Sequence, residues 1–490
     1  MDRLSAPDEW LTRLVIQRGL GVIYLAAFLV AVNQFRPLLG ERGLLPAPRF
    51  LAQVTFLQAP SLFHWRYSDR FLLAAAWTGV LASVAVVLGL PEAGPAPVSM
   101  LVWFALWAFY LSITNIGQVF YAFGWESLLC EAGFLAIFLG PSSSAPPVIV
   151  IWLFRWLLFR LEFGAGLIKL RGDRCWRDLT CLVYHHETQP MPNPLSWYFH
   201  RLPRVLHRAE VLGNHFAQVV APWGLFAPQP VASVAGLVMF ATQGWLVMSG
   251  NFSWLNAVAL VLCVSAIDSS WIHRVIPVSP PDGLTATPVW QAALSVALAV
   301  FVGVLSYWPV RNLVSRHQLM NTSFNTFHLV NTYGAFGSVT RVRREVVIEG
   351  TSEEVLSPET VWREYEFKGK PGDVRRRPPQ VAPYHLRLDW LMWFAALSPS
   401  YARSWLAPFL AKLLEGDRAT LRLLRRNPFP EAPPRYARAL LYEYRFTTWA
   451  ERKATGAWWS RSRLGEYAGP VALARDALPY RSATSSQRLV

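Results

Sequence analysis

A series of apolar runs, mostly or wholly uncharged, constrains this chain most: Leu20–Val32, Phe71–Leu90, Met100–Ile113, Ala132–Leu139, Val148–Leu158, Val231–Met248, Leu255–Ile267 and Ala292–Leu305. Crossing a hydrocarbon layer of about 30 Å takes roughly 20 residues of helix, and a helix satisfies its own backbone N–H and C=O groups there. Several of the runs approach that length with their flanks. At 53% hydrophobic residues, with 23 Trp and 29 Phe in 490 residues, the chain is too apolar for an ordinary soluble protein. The runs predict a polytopic α-helical membrane bundle of about eight spans. Asp8, Glu9 and Arg13 precede the first run and no small-residue cleavage site follows closely, so the first span reads as an uncleaved anchor. Arginines on both presumed sides leave the orientation open.

The pattern changes near residue 310. Residues 1–310 form the expected transmembrane domain, with polar loops at 36–70 and 171–208 and a connecting loop at Pro277–Pro288. Residues 311–474 predict a C-terminal α+β domain with a small antiparallel sheet, and residues 475–490 a flexible tail. Val339–Ile348, followed by a turn at Glu349-Gly350-Thr351, pairs in this reading with a strand at Val361–Lys368. Ala439–Thr447 reads as another strand. Asp389 is placed to cap a helix starting at Trp390, and Ser404–Leu414 reads as a further helix. The formal charge of +15, with Arg375-Arg376-Arg377 and Arg425-Arg426, suits a solvated basic surface near lipid headgroups. No nucleic-acid-binding motif accompanies it.

Lys169 is the only lysine in the first 367 residues, and it lies in a segment otherwise apolar enough for a bilayer. An ionisable group at that depth costs several kcal/mol and is a functional candidate by default. Arg155, Glu162 and Lys169 are seven apart, hence on one helical stripe, with Gly164 and Gly166 allowing close approach. Glu126, Glu131 and Asp268 are candidate partners for the remaining charge, so Arg155, Glu162, Lys169, Glu126 and Glu131 form an expected intramembrane polar cluster. The same stripe also suits a structural ion-pair ladder. Beyond it, His185, His186, His200, His207 and His215 crowd one loop; His185 and His186 join Lys169 and Glu162 as catalytic candidates. No HExxH or CxxC pair is present, so neither a metal nor another cofactor is expected. Cys175 and Cys181 can form a disulfide if their loop faces an oxidising compartment, whereas Cys130 and Cys263 read as buried thiols. Asn251-Phe-Ser and Asn321-Thr-Ser match the glycosylation triplet. GxSxG, P-loop and dinucleotide motifs are absent.

Phe123–Phe138, Arg155–Trp197, Asn331–Thr351, Trp362–Gly372, Tyr384–Leu397 and Tyr442–Thr447 resemble, in order, the lipase maturation factor family. The resemblance runs from about residue 10 to about 470. It implies a multi-pass protein of the endoplasmic reticulum membrane that helps dimeric lipases such as lipoprotein lipase fold and assemble. Its partners would be membrane lipids and client polypeptides, and it would be a chaperone or assembly factor with no agreed catalytic residues. The arginine, alanine and proline bias resembles a GC-rich bacterial source, in which the plasma membrane would be the site. Tyr333, Phe336, Arg341, Arg343, Trp362, Tyr365, Arg387, Asp389 and Trp390 are the expected client-binding residues. Phe163–Leu170 followed by Trp176 is similar, more distantly, to vitamin K-dependent γ-carboxylase-like membrane proteins. That likeness implies an alternative: an integral membrane enzyme with Lys169 as base on a lipid-like or polypeptide substrate.

Overall fold

The computed structural model describes residues 4–473. Among the described residues, five helical segments are long and apolar enough to cross a membrane: Pro7–Leu39, Asp69–Leu88, Ala96–Asn115, Val231–Ser249 and Val289–Val314. These helices carry exposed apolar side chains such as Trp77, Leu81, Leu101, Phe104, Val234, Val300 and Val304, suited to acyl chains.

Five meet that test, against the expected count of about eight. The Ala132–Leu139 run ends a 13-residue helix, Gly124–Ala136, nearly all of it buried among the other helices. Leu255–Ala266 is apolar but short. Val148–Arg171 has 24 residues, enough to span, yet it carries Arg155, Arg160, Glu162, Lys169 and Arg171. Its N-terminal half, interrupted by Arg155, buries Val150, Ile151, Phe154, Leu157 and Leu158. Apolar composition drives burial against protein as well as against lipid, so it cannot by itself separate the two.

Close approaches in the bundle depend on glycine at particular points. A side chain at Gly133 would collide with the Tyr24 hydroxyl, which donates to the Leu129 carbonyl at 3.1 Å. Gly164 and Gly166 admit the backbone of neighbouring segments. A Cβ at Gly164 would lie 2.5 Å from the Tyr333 carbonyl oxygen, and one at Gly166 would lie 2.8 Å from that of Gln218.

The C-terminal region holds a four-stranded antiparallel sheet in the order β2-β1-β3-β4, formed by β1 (Arg343–Thr351), β2 (Arg363–Glu364), β3 (Tyr436–Phe446) and β4 (Trp459–Val471). Val347 pairs with Leu440 and Glu349 with Glu364. The expected hairpin exists, but β2 is only two residues long, and Glu349-Gly350-Thr351 continues β1 instead of turning. β1 is buried on both faces. Val346 and Ile348 join the main core, while Val347 packs with Trp197, Tyr444, Phe446, Trp458 and Trp459. The Arg387–Leu397 helix begins three residues before the expected start, so Asp389 lies within its first turn; there its carboxylate accepts from the Gly369 and Lys370 N–H groups. The next helix is Leu406–Leu414. The expected tail, 475–490, falls outside the described residues.

Loop 171–208 folds into short helices and touches both halves. Gln189 Nε2 donates to the Ser249 carbonyl (2.9 Å) and Asn193 Nδ2 to Met248 (3.0 Å), holding the proline-rich turn against the Val231–Ser249 helix. Trp197 Nε1 donates to the Thr447 carbonyl (2.9 Å), and Arg201 donates to the Phe446 and Thr447 carbonyls.

Candidate functional site

The expected intramembrane cluster separates into distinct buried sites. Arg155 leaves the stripe: it pairs with Glu9 at 3.2 Å and donates to the Ser265 carbonyl at 2.6 Å. Asp268 takes no part and caps Ser269–His273 through the Ser270 N–H.

Glu162 and Lys169 remain linked, through side chains that do not titrate. Lys169 Nζ donates to Asn214 Oδ1 (2.9 Å) and Gln218 Oε1 (2.6 Å). Gln218 Nε2 donates in turn to Glu162 Oε2 (3.0 Å), and Gln243 Nε2 donates to Glu162 Oε1 (2.6 Å). One amide therefore accepts from the ammonium and donates to the carboxylate, which fixes its orientation. Gln218 lies in a π-helical turn, Phe216–Val220, a local widening often found where a helix must aim a particular side chain. Lys169 is 4% exposed, with the Trp176 ring centroid 5.0 Å from Nζ. Asn214, Gln218 and Gln243 carry no charge or motif in the sequence, so nothing there marked them as partners.

Glu131 and Glu126 serve two other sites, each joining the bundle to the C-terminal region. Glu131 pairs with Arg160, and its Oε2 accepts from the Asn331 N–H (3.0 Å), Asn331 Nδ2 (3.0 Å) and the Tyr333 hydroxyl (2.7 Å). Arg160 Nη1 donates to the Asn331 carbonyl at 2.7 Å. Glu126 accepts from the Tyr110 hydroxyl and pairs with Arg387 at 2.8 Å. The Arg387 guanidinium lies 3.3 Å from the Tyr121 ring centroid and donates to the Phe120 carbonyl. Gln34 completes this clamp by accepting from the Arg387 N–H (3.0 Å) and donating to the His385 carbonyl (2.6 Å).

A third buried group ties β1 to loop 171–208. Glu345 receives Arg343 and, at 3.0 Å, Lys370, and Arg343 also donates to the carbonyls of Glu187, Gln189 and Pro190. Asn251 closes a fourth junction: Nδ2 donates to the Pro192 and Pro379 carbonyls, and Oδ1 accepts from the Val381 and Ala382 N–H groups. At 1% exposure Asn251 is closed to glycosylation, whereas Asn321 of the second triplet is exposed.

These clamps change the expected client surface. Tyr333, Arg343, Tyr365, Arg387, Asp389 and Trp390 are buried and bind internal groups. Tyr333 and Arg387 join the two halves through Glu131 and Glu126, and none of the six is exposed at the surface. Arg341 is exposed, and Phe336 and Trp362 are half-buried; Trp362 stacks beneath Arg438, with the ring centroid 3.8 Å from the guanidinium carbon.

The histidines form a collar around the start of this seam. His185 is enclosed by Phe336 (ring centroids 4.7 Å apart) and Phe252, and burial, with His186 and Lys169 nearby, pushes its pKa down to about 3. It is neutral at physiological pH and its ring serves as packing. His186 lies on the Leu182–Thr188 helix, 3.7 Å from Glu210. His207 Nδ1 is 2.9 Å from the same carboxylate oxygen. Cys175 and Cys181 are joined in a disulfide at the loop's entrance, while Cys130 and Cys263 are buried free thiols.

Long helices with exposed apolar side chains, joined through buried charged groups to a C-terminal region that holds a sheet, define a multi-pass membrane protein. The chain belongs to the lipase maturation factor family: residues 11–274 match its transmembrane domain and residues 329–469 its C-terminal domain. It is 42% identical to lipase maturation factor 1 of Bos taurus, over 96% of this chain and 90% of the relative, and 41% identical to that of Homo sapiens, over 96% and 89%. Lipase maturation factor 2 of Xenopus laevis is 31% identical, over 94% and 82%. No solved structure matches the chain.

Proposed function

We propose that this protein is a membrane-embedded maturation factor that helps secreted lipases fold and assemble, working in the endoplasmic reticulum membrane or, in a bacterial source, the plasma membrane. The near full-length similarity to lipase maturation factor 1, through both domains, carries this reading. The Cys175–Cys181 disulfide supports a loop facing an oxidising compartment, where secreted clients fold. The clamps make the C-terminal sheet a rigid platform. Arg341, Trp362 and the half-buried Phe336, all just outside the strands, are the proposed client contacts.

The rival reading makes Lys169 a base in an enzyme. A base must reach its substrate within hydrogen-bonding distance. Lys169 is instead enclosed by Asn214, Gln218 and Trp176, which favours a structural role.

Co-expression with a dimeric lipase in cells lacking their own maturation factor tests the proposal. The expected result is a severalfold rise in secreted lipase specific activity, and crosslinking that captures the lipase through the C-terminal domain. An unchanged specific activity, with the protein expressed and membrane-integrated, overturns it.

A further inference from the structure

Among the described residues, one cluster of ligating side chains has no place in the clamps or the Lys169 network. His207 and Glu210 are three apart on the Arg204–His215 helix and so face the same way. His186 approaches from the Leu182–Thr188 helix, and the ligating atoms of all three lie within 4.8 Å of one another. His207–Glu210 hydrogen bonding, at 2.9 Å, accounts for two of the three. It does not account for His186, which is 2% exposed with neither ring nitrogen hydrogen-bonded. A buried polar group left so costs about 1–3 kcal/mol, so an unpartnered imidazole aimed at a carboxylate and a second imidazole calls for something between them.

We infer that His186, His207 and Glu210 form a zinc site. The atoms are His186 Nε2, His207 Nδ1 and Glu210 Oε2. Two imidazole nitrogens and one carboxylate oxygen are the donor set zinc takes at three-ligand sites, with a fourth position left for water. Bonds of about 2.0–2.2 Å put tetrahedral ligand atoms roughly 3.3 Å apart. The two separations to Glu210, 2.9 Å and 3.7 Å, bracket that figure, and the two imidazoles lie within 4.8 Å of each other. The outer shell is in place as well: Glu210 Oε1 accepts from Trp245 Nε1 at 2.8 Å, which orients the carboxylate and leaves Oε2 for the ion. His207 would then carry its proton on Nε2, freeing Nδ1.

Trp245 belongs to the Val231–Ser249 membrane helix. The zinc would join two loop helices directly and, through that indole, brace them on the bundle beside the Lys169 network. This bracing role is independent of which client the protein serves. The sequence points away from a metal because the ligands come from two helices and only His207 and Glu210 share a turn.

The test is the metal content of the full-length, tag-free protein, purified in detergent without chelator. One zinc per chain by mass spectrometry is expected, with an X-ray absorption shell of nitrogen and oxygen and no sulfur. Glu210→Gln keeps the residue's size and its bond from Trp245, and should lower bound zinc at least fivefold, as should His207→Ala. Zinc added to chelator-stripped wild type should raise its Tm and leave that of Glu210→Gln unmoved. Substoichiometric zinc in the wild type, zinc retained by both variants, or a sulfur-containing shell overturns the site.

Discussion

The molecule buries charge in two different ways. At the seam between bundle and C-terminal region, carboxylates meet guanidinium groups directly, as in Glu131 with Arg160 and Glu126 with Arg387. Inside the bundle, Glu162 and Lys169 are separated by the Gln218 amide, and Glu162 is held by neutral partners only. Direct pairing recovers more Coulomb energy at low dielectric, but it leaves a stranded charge when one partner is lost. The relay softens that loss, because each charge keeps amide dipoles around it. The seam's charges are thus the more brittle of the two sets, although apolar contacts such as Trp125 against Trp390 pack beside them.

The sharpest way to break this contrast is Arg387→Met. It leaves Glu126 uncompensated at 0% exposure and should cost about 3–5 kcal/mol. Unfolding in mixed micelles measures it, and adding Glu126→Gln should return most of the loss. Independent, additive effects would show that the pair is not coupled. Lys169→Met should cost less, about 2–3 kcal/mol, because Gln218 and Gln243 still solvate Glu162. Adding Glu162→Gln should restore both stability and lipase maturation; stability regained without activity would instead make Lys169 chemically active. Smaller again is Cys175→Ser with Cys181→Ser. The closed loop is short, so about 2 kcal/mol of unfolded-state entropy is at stake, with lowered Tm as the readout.

The smallest expected effect is a pH dependence at the seam's edge. His328 accepts or donates at Ser323 and Asn115, and burial lowers its pKa to about 4. The unfolded chain takes up a proton from about pH 6.5 downward while folded His328 does not, so stability falls as pH falls through that window. Across the mild part of that range, from pH 7 to pH 6, its share is only about 0.7 kcal/mol. The Tm–pH curve of His328→Gln should be flatter there, and an unchanged slope would remove His328 as the source.

The sequence shows the parts of this fold that rest on composition or short-range pattern. The five long apolar helices follow from run length, β3 from the alternation in Ala439–Thr447, and the disulfide from two cysteines in one polar loop. β4 does not announce itself. Its residues Trp459–Val471 mix arginines with Gly465, Gly469 and Pro470, and its pairing with β3 runs through bulges rather than a clean alternation. The buried charges were visible as residues but not as pairs. Glu126 and Arg387 lie 261 positions apart, and the amides between Glu162 and Lys169 are ordinary glutamines until the π-turn aims one of them. The family motifs around Tyr333 and Arg387 read as a contact surface because aromatic and arginine residues suit one. They suit the interior of a charged clamp equally well.

The Glu126 clamp also orders events during translation. Glu131 has Arg160 close behind it in the chain, whereas the cation for Glu126 is made only when Arg387 leaves the ribosome. Until then the first half carries a carboxylate whose counter-charge does not yet exist. A product that stops shortly ahead of position 387 lacks Arg387, β3 and β4, so Glu126 is left without its cation and β1 without its main partner strand.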